Sequence, residues 1–165
     1  MTSTFGLPGI DRWSLPLKTL EDAERLRNHV IAMLELADVA VDPAEKRRLL
    51  TFVFVGGGFT GVEAAGEMLD LFKSIHRFYR NIARDEIESI LVEGGPKLLP
   101  DLQAGMGEYA ERALRARGVK VRTNTLVAGA DERGLLLQSG EHIPSATIVW
   151  SAGVRPAPGV NSLGF

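Results

Sequence analysis

A chain of 165 residues that is 45% hydrophobic and 24% charged can build one ordinary core, which excludes a wholly disordered protein. A formal net charge of -2 offers no broad basic field and argues against a nucleic acid as partner. Without cysteine there is no disulfide framework, thiolate zinc site or redox-active cysteine pair, and no stretch approaches the roughly 20 apolar residues that span a bilayer.

Met1 to Asp11 has neither a basic start nor a long apolar run, so no secretory signal is expected and the chain reads as soluble. The first dozen residues form an irregular arm that Trp13, Leu15 and Leu17 could pin to the domain. Thr19 and Asp22 have capping-box spacing. Behind them Ala23, Leu26, Val30, Met33, Leu34 and Ala37 predict an amphipathic helix over 19–39. Asp42 and Pro43 start a second, short helix.

Thr51–Val55 (TFVFV) is a strand without polar alternation, as expected inside a parallel sheet covered on both faces. A helix follows from Phe59, its apolar stripe running to Ile82. Glu88–Val92 predicts a second strand, Gln103–Arg117 a helix closed by Gly118, and Val119–Val121 a third strand. Leu126–Ala130, Leu135–Gln138 and Glu141–Ile143 read as a small β-meander, and Thr147–Trp150 as a final apolar strand. The order predicts an α/β fold: a Rossmann-like open parallel sheet with a three-stranded β-meander crossover.

Between the first long strand and its helix, Gly56, Gly58 and Gly61 satisfy G-x-G-x-x-G. Gly56 permits the tight turn out of the strand, Gly58 lets a pyrophosphate approach the backbone, and Gly61 lets the helix pack against the strand. The first-turn N–H groups and the positive end of the helix dipole then face the phosphates. The competing reading is a tight turn with no ligand. A P-loop is excluded because no Lys-Ser or Lys-Thr follows. Glu93, at the end of the second strand, is placed to accept from the adenosine ribose hydroxyls and repel a 2′-phosphate, which favours NAD over NADP. It lies 32 residues after Gly61 rather than the usual ~20, an excess assigned to a helix extended to Ile82. A solvated loop carboxylate is the alternative for Glu93, and nearby Lys97 could serve a 2′-phosphate.

Three separated segments carry a resemblance: Val55–Glu63 (VGGGFTGVE), Leu91–Pro100 (LVEGGPKLLP) and Ile148–Pro156 (IVWSAGVRP). Together they resemble the two-dinucleotide-domain flavoprotein reductases, and within these the type II NADH dehydrogenases, single-subunit NADH:quinone oxidoreductases. Leu15–Ala23 (LPLKTLEDA) is similar to the segment by which that family leaves its FAD domain. The FAD domain's own glycine fingerprint, the closing Gly-Asp segment and the membrane-docking region of that family are not among these 165 residues. The resemblance therefore implies an NADH-binding domain at 51–156, preceded at 1–50 by an arm and helices leading from an FAD domain. Residues 157–165 would begin the return to it.

By the same resemblance, Gly56, Gly58, Phe59, Thr60 and Gly61 would hold the pyrophosphate of NADH. Glu63 would lie at its nicotinamide end, though a first-turn acid complementing the helix dipole is the other reading. Val127 would approach the adenine through its backbone, and Ala152 and Gly153 would flank the nicotinamide. Arg155 and Pro156 would redirect the chain toward the FAD domain. FAD would be bound mainly outside these residues, quinone would be the acceptor of the intact enzyme, and a homodimer is among the expected assemblies. The fragment is expected to be cytoplasmic and inactive alone, and the parent enzyme peripheral on the cytoplasmic face of the membrane. No catalytic acid, base or nucleophile is expected.

Other candidates carry less. His29, His76 and His142 fall on three elements, so no metal site is expected. Trp150 reads as core. Lys73, Arg77, Arg80 and Arg84 read as a basic face of the long helix, solvated or in contact with a partner domain or anionic membrane. Two alternatives stay open: a stand-alone nucleotide-binding module, and the same domain from another flavoprotein reductase.

Overall fold

A computed structural model describes residues 3–103 and 105–153. The N-terminal arm, expected to be irregular, contains α1 (Ile10–Trp13) and β1 (Leu15–Pro16). Ile10 pins it, being fully buried, whereas Trp13 is 37% exposed. Backbone bonds from Ser3 N to Gly153 O (2.9 Å) and from Ala130 N to Pro8 O (3.0 Å) lay the arm across the domain. The Trp150 indole N–H donates to Ser3 O at 3.0 Å, satisfying the one polar atom of a core tryptophan.

Helix α2 (Leu20–Val39) starts at a complete capping box: Asp22 N donates to Thr19 Oγ1 and Thr19 N to Asp22 Oδ2. Leu26, Val30, Leu34 and Ala37 form its buried stripe. Helix α3 (Pro43–Leu49) is capped by Asp42, with Pro43 at its first position. Then come β2 (Thr51–Val55), α4 (Phe59–Ile75), β3 (Glu88–Val92), α5 (Met106–Ala116) and β4 (Val119–Arg122). The meander β5 (Val127–Asp131), β6 (Gly134–Leu137) and β7 (His142–Pro144) leads into β8 (Thr147–Trp150).

Two expected boundaries move by more than one residue. Helix α4 ends at Ile75, and two 3₁₀ turns, His76–Phe78 and Arg84–Glu86, carry the chain to β3. The apolar stripe, which included Phe78, marked burial at Ile82 (5% exposed) but not at Phe78 (70% exposed). Past the helix end, the backbone of Asn81 is held by another part of the chain. Asn81 N donates to Asp38 Oδ1 at 2.8 Å, and Asn81 O accepts from Lys46 Nζ at 2.6 Å. Arg77, Arg80 and Arg84 therefore lie beyond the helix that carries Lys73 and do not share one helix face with it. Helix α5 begins at Met106 instead of Gln103 because its N-cap Gly105 sits at φ 91°, a backbone state that a helix cannot continue through.

The main sheet is parallel, in the order β1-β8-β2-β3-β4, and the meander is a separate antiparallel sheet in the order β5-β6-β7. Alternation along each strand divides the core in two. Phe52, Phe54, Leu91 and Val149 pack against residues of α2, α4 and α5, with the Phe52 and Phe72 rings 4.6 Å apart. Val53, Val55, Ile90, Ile148 and Trp150 pack against Leu135, Leu137 and Ile143 of the meander and Ile10 of the arm. Burial on both faces is why β2 reads as an unbroken apolar run.

His29 of α2 is half-buried, its Nε2 standing 3.1 Å from Ala146 O and 3.0 Å from Thr147 Oγ1 at the start of β8. Burial holds the imidazole below its usual value, with the Ala146 carbonyl pulling the other way. The unfolded chain thus takes up this proton at a higher pH than the native state does. The resulting stability is present above the unfolded value of about 6.5 and is lost as pH falls through the native value. Denaturant midpoints are expected to drop between about pH 8 and pH 5, and His29→Gln to remove part of that drop. An identical pH profile in the variant would contradict this assignment.

Candidate functional site

From β2 the chain runs outward through β3 and β4, then returns to place β8 on the other side of β2. Connections thus depart in opposite directions beyond the carboxyl end of β2, where open α/β sheets form a crevice. Val55 pairs with Val92 on one side and Trp150 on the other. The glycine loop, Glu93 and Ser151 therefore emerge side by side. The 32-residue interval between Gly61 and Glu93 does not disturb this, because the 3₁₀ turns absorb the excess before β3 begins.

The three fingerprint glycines differ in what the fold requires of them. Gly56 has φ 112°, and a Cβ there would stand 2.8 Å from Ala152 N. A Cβ at Gly61 would stand 2.7 Å from Ser151 Oγ and well inside contact with Gly56 O, so α4 can cross the strand this closely only with glycine. Gly58 differs. Its φ of -76° suits any residue, and among the described residues none but its chain neighbours lies within 4 Å of where its Cβ would be. No contact among the described residues demands glycine there, and they leave the space in front of it open.

Gly58 is also the N-cap of α4, without a side-chain cap and with no acid in the first turn, whereas α2 and α3 are capped by Thr19 and Asp42. The first-turn N–H groups of Phe59 and Thr60, both exposed, thus face the crevice at the positive end of a 17-residue helix. Such an end suits a pyrophosphate.

Beside it, the Glu93 carboxylate lies between two backbone donors: Oε2 accepts from Gly57 N at 2.5 Å and Oε1 from Gly95 N at 2.6 Å. Leu99 N donates to Gly57 O at 2.8 Å, and Leu98 is fully buried, so the loop carrying Glu93 is fastened to the glycine loop. Lys97 is exposed on that loop. On the opposite side, Ser151 N and Oγ both donate to Val55 O at 2.9 Å, which fixes the start of the Ser151–Ala152–Gly153 mouth.

A cleft of about 670 Å³ runs from this mouth between α2 and α4. Thr60, Glu63, Ser151 and Gly153 line it, over an apolar floor that includes Leu26 and Met68. The structure thereby brings Glu63 and Gly153 together and leaves Glu93 across the glycine loop from them. Val127, 8% exposed, packs in the meander core, so only its backbone is available; the neighbouring Leu126 is 54% exposed and lies against Gly94. Gly95, Leu126 and Ser151 are candidate site residues that sequence reasoning missed, and Gly57, inside the glycine loop, was given no role by it. The runs Gly56–Gly58 and Glu93–Gly95 held the signal for two of them, as glycines beyond the fingerprint positions. Arg155 and Pro156 lie outside the described residues.

Among the described residues there is no group of three or more potential metal-ligating His, Asp or Glu side chains. No described helix is long and apolar enough to cross a membrane. The residues present fit a dinucleotide: backbone donors for phosphates, a fixed carboxylate for hydroxyls, and an apolar cleft beyond.

Comparison with known proteins gives the same direction. The family model described as pyridine nucleotide-disulphide oxidoreductase matches residues 1–165. A type II NADH:quinone oxidoreductase of Mycobacterium tuberculosis is 36% identical over 161 residues, covering 94% of this chain and 34% of that protein. The external alternative NADH-ubiquinone oxidoreductase of Yarrowia lipolytica is 33% identical over 171 residues, covering 99% of this chain and 29% of that protein. The structure of NDH2 from Plasmodium falciparum in complex with NADH superposes with a TM-score of 0.85 at 26% identity, over 92% of this chain and 32% of that one. The chain spans about a third of the length of these relatives. With a Rossmann-like sheet, the glycine turn at its switch point and a family match over its whole length, the chain belongs to the pyridine nucleotide-disulphide oxidoreductase family.

Proposed function

We propose that this chain is the NADH-binding domain of an FAD-dependent NADH:quinone oxidoreductase. The observation that carries the reading is the uncapped turn at Gly58, left open in front by the described residues, beside a carboxylate fixed at the end of the neighbouring strand. The names of the relatives supply the reaction class. The two cofactors supply the chemistry, NADH giving a hydride and FAD, held mainly by residues beyond these 165, accepting it.

The chain's own residues bind and orient. The N–H groups of the α4 first turn, with Gly56, Gly58, Phe59, Thr60 and Gly61 shaping the surface, hold the pyrophosphate. Glu93 accepts from the ribose hydroxyls and disfavours a 2′-phosphate. Val127 offers backbone contact toward the adenine. Glu63, Ala152 and Gly153 would border the nicotinamide. Orientation and electrostatics are the contribution, with no side chain acting as acid or base.

Quinone is the proposed acceptor of the intact enzyme, the FAD domain the proposed partner, and peripheral attachment to a membrane the proposed location. Residues 1–165 expressed alone are expected to bind NADH and to show no NADH:quinone turnover when FAD is added. Turnover by the chain alone, followed at the NADH absorbance band, would overturn the single-domain reading.

A further inference from the structure

Gly57 occupies an unspecified position of the G-x-G-x-x-G fingerprint, and its φ is not in the left-handed region. Backbone conformation therefore gives no reason for glycine. Its surroundings do: a Cβ at Gly57 would stand 2.9 Å from both Glu93 Cγ and Glu93 Oε2, and 2.7 Å from Leu98 Cδ2. On the other side, a Cβ at Gly95 would stand 3.0 Å from Glu93 Oε1. The carboxylate is thus seated between two glycine amides, each donating to a different oxygen.

A carboxylate oxygen has two acceptor directions, so each oxygen keeps one after accepting a backbone N–H. We infer that Gly57 is a specificity-determining position, holding the Glu93 carboxylate against the glycine loop with its remaining acceptor directions toward the adenosine ribose. The inference rests on the NADH-binding reading above. In it, Glu93 discriminates because it is fixed. A mobile carboxylate would swing away from a 2′-phosphate and lose most of its power to reject NADPH. Any side chain at position 57 expels the carboxylate and releases that constraint, while the amide of residue 57 is left facing a displaced partner.

The test is calorimetric titration of the 165-residue chain with NADH and NADPH, as wild type, Gly57→Ala, Glu93→Gln and the double variant. The wild type is expected to prefer NADH, and Gly57→Ala to shrink the NADPH/NADH ratio of Kd values by on the order of tenfold, the loss of a hydrogen bond to a charged group. In the Glu93→Gln background, Gly57→Ala is expected to leave the ratio unchanged, because its effect acts through the carboxylate. A purely structural role for Gly57 would weaken both nucleotides alike and leave the ratio intact.

Thermal melts of each variant report on folding. If Gly57→Ala is unfolded, Gly57→Ala combined with Leu98→Val removes the contact with Leu98 Cδ2 and leaves only the Glu93 contact to act. A preference for NADH that survives Gly57→Ala to within about twofold would overturn the inference alone. So would a Gly57→Ala effect of equal size with and without the carboxylate. A wild type that binds neither nucleotide, or both equally, would overturn the reading of Glu93 on which the inference rests.

Discussion

Gly61→Ala is expected to destabilise the chain by about 3 kcal/mol, lowering its melting temperature by roughly 6–12 °C. The added methyl would be driven into Gly56 O, with Ser151 Oγ at 2.7 Å on another side. Gly56 O belongs to a turn fixed by the bond from Gly56 N to Val92 O, so the obstacle is backbone that cannot rotate away. Relief requires α4 to back off β2, opening the contact between Phe72 and Phe52 in the core. Equilibrium denaturation measures this as a lower midpoint at constant slope. A loss below about 0.5 kcal/mol would show that the helix–strand contact is not tight at Gly61.

The effect of Gly58→Asp is expected in the opposite sense. Aspartate is a better N-cap than glycine by a few tenths of a kcal/mol, and a carboxylate at the positive helix end adds about 0.3–1 kcal/mol. Among the described residues, none but its chain neighbours comes within 4 Å of a Cβ at position 58, so no contact among them offsets that gain. NADH binding, by contrast, should weaken about 100-fold or more. The new carboxylate would take the N–H groups that the pyrophosphate needs and set a negative charge against it. A variant that is more stable and no longer binds would separate what the fold needs at this loop from what the ligand needs. Unimpaired binding would remove Gly58 from the phosphate site.

Most of this was legible from the sequence because the signals were strong. Thr51–Val55 and Glu88–Val92 are strands where their apolar runs place them, since both faces of the sheet are covered. The capping box at Thr19 and the proline start at Pro43 fixed two helix origins. The short β1 was not legible: two residues, one of them proline, pair with β8 only because the folded sheet offers an edge. Nor was the end of α4 at Ile75, beyond which Asp38 and Lys46 hold the backbone of Asn81 from another part of the chain.

At the site, the residues that build the cradle were readable as a motif, and those that hold it were not. Glu93 could be expected beside the glycine loop from strand order alone. That its two oxygens are seated on Gly57 N and Gly95 N requires the positions of both loops, which no periodicity encodes. Ser151 is similar: its hydroxyl ties the end of β8 to Val55 O, a contact between residues 96 apart in sequence.

The central claim, that the turn at Gly58 and the carboxylate at Glu93 form an NADH site, meets its most direct test in calorimetric titration of the chain with NADH. Saturable binding of one NADH per chain, lost in Gly58→Asp while that variant melts no lower than the wild type, is the expected result. Absence of binding at millimolar NADH, or equal binding by the two proteins, would contradict it.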